Sequence, residues 1–402
     1  MNLLLFDVDG VLVYDHAYRA GVIAVLNYFG GLMGLTAPVI AEPAIEAFHA
    51  HSYTNEWDMV PFGVGVLLIE TLARTPAARL AGLSAALPPI EFLQQIRAEY
   101  GDRFPYEQYL DQTDHATGNP AARAQAALLS ASDRLIGDDH ARQLAQAFVR
   151  ELLANPYDLA HTITTQIFQE HALGSTVYEE TYGLPRRFDL PGLLQTEDQP
   201  ALLTAGKAAI DALAQAGRAH VCVYTARPSL PPADVPDDLT LRAAGYSPEA
   251  EMAVQLVDLQ AYPLIASGRM LWLSRIVNRP VETLTKPAPV QALAAMAAAL
   301  SKQESASLTA AYQLMAHGKL DEPFASLRSE RLHVWVFEDA LPGLHASRGA
   351  IELLRQHDID AHLHGIGIAA GGPKVEALKS VCETIVPDVN VAVEYVSRAI
   401  TG

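Results

Sequence analysis

Four stretches of this chain share one pattern: a short unbroken apolar run that stops abruptly at polar residues. The first, LLLF at Leu3–Phe6, runs into Asp7, Val8, Asp9 and Gly10. The second, Val221–Tyr224, stops at Thr225, and the third, Leu332–Phe337, stops at Glu338 and Asp339. The fourth is LHGIGI, ahead of AAGG. Short β-branched or aromatic runs bounded by Gly, Pro and acids are the pattern of parallel strands buried on both faces. Alanine-rich helical patterns adjoin them, such as TAGKAAIDALAQAG before Val221 and LHASRGAIELLRQHDI after Asp339. Strands alternating with helices predict an α/β fold with a doubly wound, mostly parallel, Rossmann-like sheet. Ligands of such sheets bind at the carboxyl ends of the strands, which is where the polar punctuation of these runs falls.

Residues 16 to about 200 follow a different pattern. Ala, Leu, Gln and Glu recur at helical spacing in LIETLARTPAARLAGLSAAL, IEFLQQIRAEY and DDHARQLAQAFVRELLA, with few convincing strands among them. This predicts an all-α domain, 16–200, inserted after the first strand of an α/β domain made of 1–15 and 201–402. Pro and Gly cluster in GLPRRFDLPGLL, a candidate return hinge. No internal repeat is present.

Composition narrows the function classes. A chain of 402 residues fits two domains, or one with a large insertion. A formal net charge of −18 argues against nucleic acid or an anionic membrane as partner, while leaving room for a small anionic substrate bound locally. Cys222 and Cys382 are the only cysteines and give neither a disulfide framework nor a metal-ligand spacing. No apolar run approaches the roughly 18 residues of a membrane span, and no basic residue precedes Asp7. A soluble, cytoplasmic protein is the expectation.

The two acids at the end of the first run need a reason. Like charges that close repel, and each costs several kcal/mol to desolvate unless something pairs with it. Three further motifs follow in order: VYTARP, TKPAP and FEDALPGLHAS. Together with FDVDGV they resemble the four motifs of the haloacid dehalogenase-like hydrolase superfamily, most of whose members are phosphatases. The resemblance covers the start of the chain and its last two hundred residues, and the helical insertion stands where that superfamily carries a cap domain.

The resemblance implies a Mg²⁺-dependent phosphomonoester hydrolase acting on a small phosphorylated metabolite. Asp7 would be the nucleophile that forms an aspartyl-phosphate. Asp9 would protonate the leaving alcohol and then deprotonate water, with its backbone carbonyl on the metal. Gly10 would let the chain turn away sharply. Thr225 would hold a phosphate oxygen with its hydroxyl and the following backbone N–H, with Gly10, Ala226 and Arg227 as further substrate contacts. Lys286 would neutralise the nucleophile and the phosphoryl oxygens, and Glu338 and Asp339 would complete the carboxylate set around Mg²⁺. Each has a plainer reading: a threonine ending a strand is commonly a turn residue, a Lys-Pro at a helix start a surface residue, and an acidic pair ahead of a helix an N-terminal cap. A phosphomutase or other phosphotransferase uses the same motifs. A non-catalytic protein using the insertion as an interaction surface is the third reading.

Outside the motifs, SYTNEWDMV places Asn55 and Trp57 early in the insertion, and Arg186 and Arg187 stand in the candidate hinge; these are candidate substrate contacts. GIGIAAGGPK lacks the phosphate-loop spacing and reads as a strand with its exit turn. HLHG and HAHS lack a third zinc ligand at a characteristic spacing. The long intervals between the second, third and fourth motifs hold extra segments, DVPDDLTLRAAGYSPEAEM and SASLTAAYQLMAHGKLDEP.

Overall fold

The run at the start of the chain forms strand β1 (Asn2–Phe6), with a short strand β2 (Val13–Tyr14) after the turn. Later come β3 (Gln199–Pro200), β4 (His220–Tyr224), β5 (Leu264–Ile265), β6 (Arg331–Glu338), β7 (Asp360–Ile368) and β8 (Thr384–Val386). The structure, a computed structural model, describes residues 1–84, 87–96, 98, 104–236 and 245–402. Residues 237–244 of the first extra segment, and a few residues in two of the helical stretches quoted above, lie outside them. The described residues divide into two compact units: Met1–Asp15 with Asp198–Gly402, and His16–Glu197.

In the first unit six strands form one sheet in the order β5-β4-β1-β6-β7-β8, every neighbouring pair parallel. This is an α/β, Rossmann-like fold. Leu3 and Leu5 face one core, with Cys222, Tyr224, Val334 and Val336; Leu4 and Phe6 face another, with Val221, Val223, Trp335 and Phe337. Period-2 alternation with both faces apolar is why these strands read as continuous hydrophobic runs. Helices Thr204–Gln215 and Val389–Thr401 cover the second core, and Pro289–Ser301 and Leu341–Gln356 the first. Pro289–Ser301 is buried on every side from Val290 to Ala299, and its alanines allow close approach to the sheet on one side and to helix Glu304–His317 on the other. β2 and β3 pair antiparallel as a separate two-stranded ribbon.

The second unit is helical. Its centre is the helix Glu56–Arg74, buried all round from Asp58 to Leu72, with Phe48, Tyr53, Phe62 and Tyr106 forming an aromatic cluster. GLPRRFDLPGLL belongs wholly to this unit, and the chain returns to the first unit only at Asp198. In this stretch the backbone N–H groups of Arg187 and Phe188 donate to the buried carboxylate of Glu170, and Phe188 packs edge-on against Tyr28 and His171. Among the described residues no helix is long and apolar enough to cross a membrane.

Candidate active site

Three neighbouring strands, β4, β1 and β6, end side by side, so the residues that follow them meet. Asp7 continues β1 and its N–H donates to Phe337 O at 3.0 Å, which fixes it beside the end of β6. The chain then folds back: the N–H groups of Val11, Leu12 and Val13 all donate to Val8 O, and Gly10 takes a φ of +68°. That conformation suits glycine, and a Cβ there would also overlap the Asp339 carboxylate. The turn thus requires glycine twice over, once for its backbone and once for the carboxylate packed on it.

Asp7, Glu338 and Asp339 each offer a carboxylate oxygen within 4.8 Å of the others. Among the described residues this is the one such group of three. Lys286 Nζ lies 3.1 Å from Asp7 Oδ1 and 2.6 Å from Glu338 Oε1, donates to Tyr224 O at 3.1 Å and stands 3.8 Å from the centre of the Tyr224 ring. Gln291 holds the surrounding loops in place, accepting from Lys286 N at 2.9 Å and donating to Thr225 O at 2.9 Å. Thr225 itself is fully buried and its Oγ1 accepts from Arg227 N, while Ala226 stands exposed at the strand end.

The electrostatics follow from burial. Desolvation pushes the Glu338 carboxyl well above the usual range, and the neighbouring Asp7 charge adds to this against the pull of Lys286. Asp339 is also raised by burial, opposed by Lys374, whose ammonium is paired with Asp339 Oδ2. Burial alone would favour a neutral Lys286 amine, but Asp7 and Glu338 outweigh it and raise its pKa. Asp9 is pushed up to about 6 by burial, with Arg227 opposing and Asp7 and Asp15 adding.

Nine sequence-predicted residues therefore come together in the first unit: Asp7, Asp9, Gly10, Thr225, Ala226, Arg227, Lys286, Glu338 and Asp339. Arg227, expected as a substrate contact, is enclosed by two carboxylates. It is 3% exposed, and its guanidinium is held by Asp9 Oδ1, 2.7 Å from Nε and 2.5 Å from Nη2, and by Asp198 Oδ2, 2.9 Å from Nη2. Asn55, Trp57 and Arg186 lie in the helical unit. Asn55 accepts from Trp57 N as the cap of helix Glu56–Arg74, the Trp57 ring lies against Tyr157, and Arg186 pairs with Glu179 and Asp189.

Sequence reasoning missed Asp198, Gln291 and Lys374. Lys374 sits in GIGIAAGGPK, which here ends β7 and opens the helix Gly372–Leu378. Its only signal was a lysine beyond a strand end in a lysine-poor chain. Of the histidine motifs, His362 and His364 stack with His333 on β6 and β7, and His51 sits between Asp111 and Asp114.

No family model matches the chain, and no curated protein does. A crystal structure solved as Northeast Structural Genomics Consortium target ZR25 is similar over the whole of both chains, at 17% identity and a TM-score of 0.65. That likeness concerns the fold.

Proposed function

We propose that this chain is a Mg²⁺-dependent phosphomonoester hydrolase for a small phosphorylated metabolite, working through a phosphate ester of Asp7, as in the haloacid dehalogenase-like hydrolases it resembles. The observation that carries the reading is the convergence of Asp7, Glu338 and Asp339 at the carboxyl ends of adjacent parallel strands, with one lysine shared between Asp7 and Glu338. Three hard oxygen donors with a shortage of positive charge fit a divalent cation such as Mg²⁺. Asp7, Glu338, Asp339 and the carbonyl of Asp9 would hold it. Bound there, Mg²⁺ offsets the charge of phosphate and nucleophile.

The chain's own groups divide the remaining work. An oxygen of Asp7 attacks phosphorus as the ester P–O bond breaks, and Asp9 gives its proton to the departing alkoxide. Water then attacks the phosphorus of the acyl phosphate, Asp9 takes its proton, and orthophosphate leaves with Asp7 regenerated. Lys286 stays charged between Asp7 and Glu338 and balances the anionic phosphoryl oxygens. Thr225 and the N–H of Ala226 orient the phosphate at the end of β4. The helical unit, as a cap, selects the substrate.

Phosphate release from an aryl phosphate tests the reading. Turnover is expected with Mg²⁺, to vanish in excess chelator and to return on re-addition of the metal, and Asp7→Asn is expected to abolish it. Full activity in chelator, or substantial turnover by Asp7→Asn, overturns it.

A further inference from the structure

The two acids of FDVDGV are held by different cations. Asp7 has Lys286; Asp9 has Arg227, and Arg227 in turn has Asp198. The side chains of Arg227 and Asp198 are each 1% exposed, whereas that of Asp9 is 33% exposed. One end of this chain of charges is therefore sealed inside the unit and the other is partly open.

Arg227 has little freedom. Its N–H donates to Thr225 Oγ1 at 3.2 Å, its carbonyl accepts from Ser267 N at 3.0 Å, and Nε and Nη2 grip the same oxygen of Asp9. Asp198 is placed just as firmly. It immediately precedes β3, which pairs with β2; Ala201 N and Leu202 N both donate to Leu12 O; and Val13 bridges back to Asp9 itself. The contacts form a closed circuit from Asp9 through the turn to Val13, across the ribbon to Asp198, and through Arg227 back to Asp9. A buried ion pair is weak as a source of net stability, because desolving the charges offsets most of their attraction. It does fix geometry, since a guanidinium fork anchored on one carboxylate presents its remaining donors to the next in a set direction.

We propose that Asp198 is a positioning residue for proton transfer: through Arg227 it holds the Asp9 carboxyl where it protonates the leaving alkoxide and deprotonates the attacking water. This rests on the phosphatase reading. It assigns Arg227 to supporting the acid, and it places a functional residue at the point where the chain re-enters the α/β unit.

The two proton transfers give the test its resolution. Formation of the Asp7 ester from p-nitrophenyl phosphate needs no proton, because p-nitrophenolate leaves unaided, whereas an alkyl phosphate needs one from Asp9. In rapid-quench single turnovers of the full-length enzyme with Mg²⁺, Asp198→Asn is expected to slow cleavage of an alkyl phosphate by roughly 10²-fold, within the usual range for general acid catalysis. The p-nitrophenolate burst is expected to slow far less. Steady-state kcat falls for both substrates, since both need the second transfer, and for p-nitrophenyl phosphate KM falls with it as the Asp7 ester accumulates. In the Asp9→Asn background, Asp198→Asn is expected to add nothing. Should Asp198→Asn melt too early to assay, Arg227→Lys keeps the buried charge but loses the fork, and the same leaving-group signature is expected. Equal slowing of both single turnovers, or a further loss on top of Asp9→Asn, overturns the inference. Failure of the unaltered enzyme to turn over any phosphate ester overturns the phosphatase reading and takes the inference with it.

Discussion

At the scale of single residues, the proposed Mg²⁺ site makes opposite predictions for two positions around the carboxylates. Gly343 lies in the first turn of the helix Leu341–Gln356 against Glu338, and a Cβ there would overlap the Glu338 carboxylate. Alanine is the better helix former by about 1 kcal/mol, so the helix Leu341–Gln356 itself gains from the change. Any loss in Gly343→Ala must then come from a displaced Glu338. The Mg²⁺ concentration for half-maximal activity is expected to rise roughly tenfold or more, as when a ligand's supporting contact is removed. Lys374→Ala is expected to lower it. The lysine ammonium occupies Asp339 Oδ2, and an incoming cation competes with it there. The lysine side chain is 49% exposed, so the pair is worth about 1 kcal/mol at most and the gain should be about fivefold or less. A Mg²⁺ titration of activity, paired with calorimetry of metal binding, measures both. An affinity that moves the same way in the two variants would mean that the carboxylates do not share a cation.

At the scale of elements, legibility in the sequence tracked burial and length. β1, β4, β6 and β7 are legible because both faces are buried, which leaves an unbroken apolar run, and their ends supplied most of the candidate site. β5 and β8 have two and three residues, too few to show any period. The pairing of Arg227 with Asp198 was not legible because Asp198 is 29 residues away, in a stretch with no pattern of its own. In GLPRRFDLPGLL the N–H groups of Arg187 and Phe188 find one buried carboxylate, Glu170, and composition cannot reveal that. Gln291 was likewise invisible, a lone polar residue on an alanine-rich helix. It is fully buried and ties Lys286 N to Thr225 O, so its loss strands a donor and an acceptor inside the unit. Gln291→Leu is expected to cost about 1–3 kcal/mol in urea unfolding, with a fall in turnover as the Lys286 loop loosens. Retention of full stability and full activity would show that the two loops are held by other means.

At the scale of the whole molecule, the division into two units bears on where chemistry and selectivity reside. Both apolar cores of the α/β unit are drawn entirely from residues 1–15 and 198–402. The chain leaves this unit just after Tyr14 and re-enters just before Gln199, and those two residues are paired across the β2–β3 ribbon. The ends are therefore already together, and a few Gly and Ser residues can join Asp15 to Asp198 with little loop-closure cost. The α/β unit so joined is expected to unfold in one cooperative transition and to keep Mg²⁺-dependent hydrolysis of p-nitrophenyl phosphate, since the carboxylates, Lys286 and the Asp198–Arg227–Asp9 circuit all remain. If the helical unit is the cap that chooses the substrate, excision removes what distinguishes one phosphorylated metabolite from another, because discrimination requires contacts that differ between substrates. The kcat/KM values of a metabolite panel should then converge toward that of the aryl phosphate. Within the intact chain, Trp57→Ala and Arg186→Ala should shift KM or the substrate ranking while metal dependence holds. An excised form that folds and retains the full ranking would place selectivity in the α/β unit and leave the helical unit to some other task.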